Sequence, residues 1–228
     1  MSELGLVATI DGPAGVGKST VGRLVAKALG LPYLDTGIFY RALAVEALRE
    51  RVRPDDEERL AEIAGHLSVV INTDPEVDGW RARLNGVDLD RELWDPALAV
   101  LLARAASLQP VRSALLERQR RAGSNGVVAV GRDTGTVVFP WARCKFYLDA
   151  PAQVRLERRR REFERRGLPT ADSVLEEEIV GRDRLDSSRE HAPLAVPLGA
   201  LVLDTSNISA EEVAAILIGR CREGILKG

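Results

Sequence analysis

The sequence predicts an α/β protein built on a central parallel five-stranded sheet with helices on both faces. Short apolar runs alternate along the chain with segments whose apolar residues recur at helical spacing. A glycine-rich loop stands between the first apolar run and the first helical segment. With 228 residues, 45% of them apolar and 29% charged, the chain is long enough for one full core that carries a small inserted module.

The first part of the predicted core alternates strands with helices. In order, the predicted elements are a strand at 6–10, a helix at 18–29, a strand at 33–35 and helices at 38–49 and 57–67. Gly30 is placed to end the first helix, and Thr36 is expected to cap the second.

The pattern then changes to that of a small antiparallel sheet. Residues 68–72 and 80–84 read as strands, and Asn85-Gly86 is a strong signal for a tight turn. Asp74-Pro75 and Asp78-Gly79 are also typical of turns. We therefore predict an inserted module at about 67–96, with the core formed by 1–66 and 97–228.

The second part of the core returns to alternation. Asp95-Pro96 is expected to start a helix, because proline is favoured at the first turn. The further predicted elements are a helix at 111–122 ended by Gly123, strands at 127–130, 145–148 and 201–203, and helices at 152–166, 172–186 and 209–223.

The glycine-rich loop has the spacing G-x-x-x-x-G-K-[ST] of a phosphate-binding loop, or P-loop. Its strand–loop–helix setting offers backbone N–H groups and a helix N-terminus to phosphates, which predicts a three-layer P-loop fold. Lys18 is expected to reach the β- and γ-phosphates of ATP, and Ser19 to coordinate Mg²⁺. The predicted ATP-binding residues are Gly12, Pro13, Ala14, Gly15, Val16, Gly17, Lys18, Ser19 and Thr20.

The loop indicates a nucleotide but not a reaction, since switches, motors and kinases share it. The guanine-reading pattern Asn-Lys-x-Asp of the switch proteins is absent. A small chain with a second anion site favours a kinase for a small acceptor. UMP, AMP and shikimate are among the acceptors that such a kinase could use. The alternative of a different class is a regulatory protein that hydrolyses ATP slowly.

Several arginines lie in segments that are expected to meet at the carboxyl edge of the sheet, where open α/β folds bind ligands. Taken singly, each is more often a surface residue. Gly131-Arg132-Asp133 is the exception, because a charged pair directly follows a buried strand. The others are Arg41, Arg112, Arg182 and Arg189.

The arginine-rich segment from Arg155 to Arg166 has two interpretations. One is a solvated helix with neighbouring ion pairs. The other is a lid, at about 155–170, which closes arginines over the transferring phosphate and excludes water.

Charge and cysteine content limit the partners. The net charge of −2 gives no reason to expect nucleic acid or an anionic membrane. Cys144 and Cys221 are distant in sequence and predict reduced thiols. We expect a cytoplasmic protein, because no signal peptide or membrane-spanning run is present, and we expect a monomer that acts on small molecules.

The chain resembles the bacterial cytidylate kinases of the long type, within the P-loop nucleoside monophosphate kinases. The resemblance covers nearly the whole chain in order, and its most specific part is the stretch from Gly131 to Pro140. The other matching stretches are Ile10 to Thr20, Leu34-Asp35-Thr36-Gly37, Tyr40-Arg41, Arg182-Asp183, Asp186, Arg189 and Ala192-Pro193-Leu194.

The resemblance implies transfer of the ATP γ-phosphate to CMP or dCMP, with Mg²⁺, and identifies the inserted module as the monophosphate-binding domain. It implies that Arg41, Arg132 and Arg189 hold the acceptor phosphate, and that Lys18, Arg132 and Asp133 form the catalytic set. The remaining residues that it implies are Arg112 and Asp133 for cytosine, Arg182 and Asp186 for the pentose, Thr36 and Tyr40 for CMP, and Arg158 and Arg159 for the lid.

The sequence departs from the family pattern at two places. Val130 stands where an acidic residue is common, so Asp11 or a water is expected to substitute for its contact to metal or Lys18. The serine that often contributes to cytosine recognition is absent at its usual spacing, and Ser107 lies nearby.

Overall fold

The structure is a computed structural model, which describes residues 5–71, 82–89, 91–95, 97–165, 167 and 170–226. Its strands are β1 (Val7–Asp11), β2 (Tyr33–Asp35), β3 (Val69–Ile71), β4 (Ala82–Leu84), β5 (Val87–Leu89), β6 (Val127–Gly131), β7 (Cys144–Asp149) and β8 (Leu201–Asp204). Its α-helices are α1 (Lys18–Leu29), α2 (Gly37–Arg49), α3 (Glu57–His66), α4 (Leu98–Ser107), α5 (Gln109–Ala122), α6 (Ala152–Arg165), α7 (Asp172–Glu176), α8 (Arg182–Ser187) and α9 (Ala210–Leu226).

The central sheet confirms the predicted fold class. Its five strands lie in the order β2-β6-β1-β7-β8, and every neighbouring pair is parallel. All five residues of β1 and of β6 are buried, as expected for central strands covered on both faces. One apolar cluster packs α2, α4 and α5 against one face, and a second packs α1 and α9 against the other.

A separate antiparallel sheet, in the order β3-β4-β5, lies in the segment where the sequence changes pattern. Asn85 and Gly86 both have positive φ, at 52° and 81°, which matches the predicted tight turn between β4 and β5. Asp74-Pro75, Asp78-Gly79, Trp80 and Pro96 lie outside the described residues.

The capping prediction for Thr36 was wrong in its detail. Thr36 has helical backbone angles, and its hydroxyl donates to the carbonyl oxygen of Val130 at 3.1 Å. The Asp35 carboxylate instead accepts from the N–H of Gly37 at 2.9 Å, so the cap of α2 comes one residue earlier. Thr36 thereby ties the start of α2 to the end of β6.

Two π turns are features that helical spacing did not predict. One follows β6 at Thr134–Val138, where the N–H of Phe139 donates to the carbonyl oxygen of Thr134. The other, Glu177–Gly181, interrupts the single helix predicted at 172–186 and separates α7 from α8. Such turns occur often at functional sites, because the extra residue redirects the side chains that follow.

Candidate active site

The phosphate-binding loop connects β1 to α1, and its glycines have conformations that other residues rarely adopt. Gly12, Gly15 and Gly17 have φ values of 148°, 74° and 97°. A Cβ on Gly12 would lie 2.2 Å from the carbonyl oxygen of Leu148, so the loop packs tightly against β7. The helix begins at Lys18, which leaves its N-terminus facing the loop.

Lys18 is buried within the loop that carries it. Its Nζ donates to the carbonyl oxygens of Gly12 at 2.8 Å and Pro13 at 2.6 Å. Burial lowers the pKa of Lys18 well below its usual range, and the nearby charge of Arg132 lowers it further. An anion bound in the loop would raise the pKa of Lys18 again, because its negative charge favours the protonated amine.

Ser19 and Asp35 form an oxygen-rich corner beside Lys18. The Ser19 hydroxyl lies 3.3 Å from Oδ2 of Asp35, while Oδ1 of Asp35 accepts from Gly37. Burial raises the pKa of Asp35, and the N–H of Gly37 and the charge of Lys18 oppose that rise. Hydroxyl and carboxylate oxygens are the donors that Mg²⁺ prefers, so this corner fits the ion. Asp35 was not predicted as a site residue from the sequence, although the Leu34–Gly37 stretch contains it.

Asp11, which was expected to substitute for the acidic residue missing at position 130, anchors the segment after β6, and its charge also raises the pKa of Lys18. Its carboxylate accepts from the N–H and hydroxyl of Thr134 and from the N–H of Gly135, at 2.6 to 2.7 Å. Burial raises its pKa to about 6, against the opposing effect of these hydrogen bonds. Asp11 therefore holds the segment that carries Arg132 and Asp133, and Asp35 is the carboxylate that contacts Ser19.

Three of the predicted arginines surround one buried carboxylate. Arg132 donates from Nε to Oδ2 of Asp186 at 2.8 Å, Arg189 pairs with Oδ1, and Nε of Arg182 lies 3.9 Å from Oδ2. The Asp186 side chain is 1% exposed. Burial opposes its ionisation, but the three arginines outweigh burial and hold the pKa of Asp186 below its usual value.

The same region has more positive charge than Asp186 can balance. Burial and the neighbouring Arg132 lower the pKa of Arg182 to about 9. Burial also lowers the pKa of Arg41, and Arg159 and Arg132 add to the effect. Crowded guanidinium groups whose pKa values fall in this way form a site that an anion would stabilise.

A second polar pair lies beside this cluster. Arg112 pairs with Oδ2 of Asp133, and both side chains are about one-tenth exposed. The Arg112 guanidinium also donates to the carbonyl oxygen of Ala106 and lies over the Tyr40 ring, 5.6 Å from its centroid. Ser107 donates its hydroxyl to the carbonyl oxygen of Arg104 on the exposed side of α4.

The predicted lid arginines point in two directions. Arg158 donates to the carbonyl oxygen of Thr205 at 2.5 Å and to its hydroxyl at 3.0 Å, at the end of β8. Arg159 donates to Glu178 in the π turn and lies near Arg41. Thr205 was not predicted from the sequence, because no motif distinguishes it from other threonines at strand ends.

One cavity of about 1070 Å³ joins these parts. It extends from the phosphate-binding loop, past Asp35 and the arginine cluster, to the pair formed by Arg112 and Asp133. The predicted site residues that line it are Ala14, Gly15, Val16, Gly17, Lys18, Ser19, Thr20, Thr36, Tyr40, Arg41, Arg112, Arg132, Asp133, Arg158, Arg159, Arg182, Asp186 and Arg189. Gly12 and Pro13 contribute the carbonyl groups that accept from Lys18.

Comparison with known proteins identifies the family. The sequence profile of the family described as cytidylate kinase matches residues 8–223. The chain belongs to the cytidylate kinase family. Its members are nucleoside monophosphate kinases, and this protein is accordingly an enzyme of the transferase class.

Individual relatives match over nearly their full length. A cytidylate kinase of Caldanaerobacter subterraneus is 41% identical over 93% of each chain. A cytidylate kinase of Geobacter is 40% identical over 99% of this chain and 97% of its own. A cytidylate kinase of Pelotomaculum thermopropionicum is 41% identical over 94% of this chain and 95% of its own.

Among the residues that the structure describes, no helix has the length and apolar character needed to cross a membrane.

Proposed function

We propose that this protein transfers the γ-phosphate of ATP to CMP or dCMP, giving ADP and CDP or dCDP. The observation that carries the proposal is the single cavity in which a phosphate-binding loop faces a crowded arginine cluster. A donor and an acceptor that both carry phosphate need such an arrangement, because their charges must be neutralised as they approach. The names of the relatives indicate cytidylate as the acceptor.

On the donor side, the backbone from Gly12 to Thr20 would bind the phosphates of ATP. Lys18 would leave the carbonyl oxygens of Gly12 and Pro13 and donate to the β- and γ-phosphates. Arg158, which already contacts Thr205 at the end of β8, would lie over the donor nucleotide. Arg159 would reach the transferring phosphate from the lid.

Ser19 and Asp35 would hold Mg²⁺ together with phosphate oxygens. When bound, Mg²⁺ would neutralise charge on the β- and γ-phosphates. Within the described residues, no three His, Cys, Asp or Glu side chains converge as a metal site. Phosphate oxygens and water would therefore complete the coordination, as is usual for Mg²⁺ in kinases.

On the acceptor side, Arg41, Arg132 and Arg189 would hold the phosphate of CMP. Asp186 keeps two of these arginines in place by direct ion pairs, so their charges are positioned before the substrate arrives. Arg182 and Asp186 would contact the pentose. Thr36 and Tyr40 line the same part of the cavity.

Arg112 and Asp133 would read the cytosine edge. An ionised carboxylate accepts hydrogen bonds and a guanidinium donates them, so the pair complements the amino group and the acceptor atoms of cytosine. Uracil has a carbonyl oxygen where cytosine has its amino group, and Asp133 would oppose it. Selectivity for CMP over UMP follows from this pairing.

Transfer would proceed in line and without a covalent enzyme intermediate. An oxygen of the CMP phosphate forms a bond to the γ-phosphorus while the bond from that phosphorus to the bridging oxygen of ADP breaks. The acceptor oxygen is already anionic at neutral pH, so it needs no general base. Catalysis therefore consists of positioning and charge neutralisation by Lys18, Arg132 and the lid. Asp133 contributes by orienting the base.

The inserted module at 67–96 would act as the monophosphate-binding domain, with 1–66 and 97–228 as the core. The separate antiparallel sheet β3-β4-β5 supports this division, and two contacts join the module to α2 of the core. Arg41 of α2 donates to the carbonyl oxygen of Leu93 at 2.8 Å, and Asn85 in the β4–β5 turn donates to Glu46 of α2. A shift of the module would therefore be transmitted to α2 and to Arg41.

The test is ATP-dependent phosphorylation measured with CMP, dCMP, UMP, AMP and shikimate. CDP and dCDP are the expected products, with CMP preferred over UMP. A preference for UMP, AMP or shikimate would replace the acceptor assignment with another kinase activity. ATP hydrolysis that no acceptor accelerates would favour a regulatory ATPase and overturn the proposal.

A further inference from the structure

Asp183 connects the phosphate-binding loop to the helix that carries Arg182 and Asp186. Its Oδ1 accepts from the N–H of Ala14 at 2.9 Å, and its Oδ2 pairs with Arg155. Its side chain is 16% exposed, and 169 residues separate it from Ala14 in the chain. None of the roles in the proposed mechanism uses this carboxylate.

Arg155 completes a closed set of contacts around the loop. Its guanidinium donates to the carbonyl oxygens of Ala14 at 3.0 Å and Ala150 at 2.8 Å, and it also donates to Asp183. Both backbone polar groups of Ala14 are therefore occupied by two charged side chains from two different helices.

Packing next to Ala14 reinforces the same connection. Gly15 has a φ of 74°, and a Cβ there would lie 3.0 Å from Cδ1 of Ile179 and 3.1 Å from the carbonyl oxygen of Arg155. Ile179 is fully buried in the π turn, four residues before Asp183. Two consecutive loop residues thus contact one face of the segment formed by the π turn and α8.

We propose that Asp183 is a positioning residue for phosphoryl transfer, which holds the phosphate-binding loop in register with α8 through Ala14 and Arg155. Because α8 also carries Arg182 and Asp186, the link sets the distance between the donor phosphates and the acceptor arginines. In-line transfer is sensitive to that distance, since a displacement of about 1 Å reduces rates by about 10²-fold. The proposal rests on the function proposed above.

A purely structural ion pair is the competing explanation. A buried pair whose partner is removed destabilises a fold without any selective effect on catalysis. The two explanations differ in what they predict for folded protein. A structural pair would lower the melting temperature and leave kcat unchanged, whereas a positioning residue would lower kcat and ATP affinity and leave CMP affinity unchanged.

The experiment compares the full chain with Asp183→Ala, at a temperature well below the melting transition of each protein. We expect kcat with CMP to fall about 10²-fold. Affinity for a fluorescent N-methylanthraniloyl ATP should fall about 10-fold, the order of one hydrogen bond to a charged group. The KM for CMP should stay within about threefold of the wild type, because the ion pairs of Asp186 with Arg132 and Arg189 do not involve Asp183.

Asp172→Ala is the matched control. Asp172 pairs with Arg160 of α6 at 2.8 Å, is 74% exposed and does not contact the phosphate-binding loop. It should retain the kcat and ATP affinity of the wild type. An equal loss in Asp172→Ala would overturn the proposal, because any broken ion pair in this region would then have the same effect.

Asp183→Asn provides a second variant that is milder, in case the alanine variant does not fold. Its amide oxygen can still accept from Ala14, but it no longer pairs with Arg155 as an anion, so we expect about a 10-fold loss of kcat. The double variant that combines Asp183→Ala with Arg155→Ala should have a kcat within about threefold of that of the less active single variant, since the two residues act as one unit.

Wild-type kcat and ATP affinity in folded Asp183→Ala, or in Asp183→Asn, would overturn the proposal. The nucleotide-affinity measurement needs no acceptor, so it separates this inference from the proposed function. If the wild type made no CDP, the proposed function would fail. The effect of Asp183 on ATP affinity would still decide the role of the residue.

Discussion

Arg132 and Asp186 form a buried ion pair between the end of β6 and α8, with Nε 2.8 Å from Oδ2. They are 54 residues apart in sequence, and the Asp186 side chain is 1% exposed. Asp186 also pairs with Arg189, so a single carboxylate organises two of the arginines proposed to bind the acceptor phosphate. Charge that is fixed in advance needs no reorganisation when substrate binds.

Replacing Arg132 should impair the acceptor side selectively. In Arg132→Ala, kcat/KM for CMP should fall by about 10- to 150-fold, the range for losing a hydrogen bond to a charged group. Binding of fluorescent ATP should change much less. Arg220→Ala, which removes an exposed pair with Glu223 on α9, serves as the control and should behave like the wild type. Equal losses of CMP and ATP affinity would contradict an acceptor-side role.

Replacing Lys18 should reduce turnover without unfolding the protein. Lys18→Ala removes a buried charge that burial already disfavours, so the circular-dichroism spectrum and melting temperature should be retained. Turnover should fall by roughly 10²–10³-fold, because the variant cannot neutralise charge on the transferring phosphate. Near-normal CMP phosphorylation by folded Lys18→Ala would refute the assignment of the loop as the catalytic centre.

Asp35→Asn should weaken Mg²⁺ binding and so raise the Mg²⁺ concentration that activity requires. The amide oxygen can still accept from Gly37, so the cap of α2 survives, while the negative charge beside Ser19 is lost. The Mg²⁺ concentration for half-maximal activity should rise by about 10-fold. Asp55→Asn removes an exposed carboxylate that pairs with Arg53 and should leave the Mg²⁺ titration unchanged. Superimposable titrations of Asp35→Asn and wild type would remove Asp35 from the metal site.

Asp186 should also contribute to stability in a pH-dependent way. Its pKa is lowered in the folded protein, so its contribution is present above the unfolded value of about 3.9 and is lost as pH falls through the folded value. Without nucleotide at pH 6, the free energy of unfolding of Asp186→Asn, measured by urea denaturation, should be about 3–5 kcal/mol lower than that of the wild type. This difference in the free energy of unfolding should narrow at pH 3. A constant difference from pH 6 to pH 3 would show that ionisation of Asp186 does not contribute to stability.

Local features predicted much of the fold. The strands and helices of the core were predicted within a few residues, because apolar periodicity reports which faces are buried. Helix α1 and its end at Gly30 agree with the prediction, since a glycine with a φ of 65° ends a helix readily. The π turn at 177–181 was missed because its i-to-i+5 hydrogen bonding leaves no distinctive periodicity in so short a segment.

The site was predictable to the extent that its residues are contiguous. The spacing from Gly12 to Ser19 indicates phosphate binding on its own, because a turn, a lysine and a helix N-terminus act within one short segment. The resemblance to cytidylate kinases supplied the acceptor residues from Arg41 to Arg189. Asp35 was not assigned, because one carboxylate before a helix does not reveal which hydroxyl it approaches.

The sequence by itself determined the alternation of strands and helices, the phosphate-binding loop and the family. Only the tertiary structure decided which polar groups meet: Asp186 with Arg132 and Arg189, Asp11 with Thr134, and Asp183 with Ala14 and Arg155. Periodicity and short motifs depend on neighbours along the chain, which the sequence displays directly. Ion pairs across the sheet edge depend on distances between residues far apart in the chain, and those distances exist only once the core has packed.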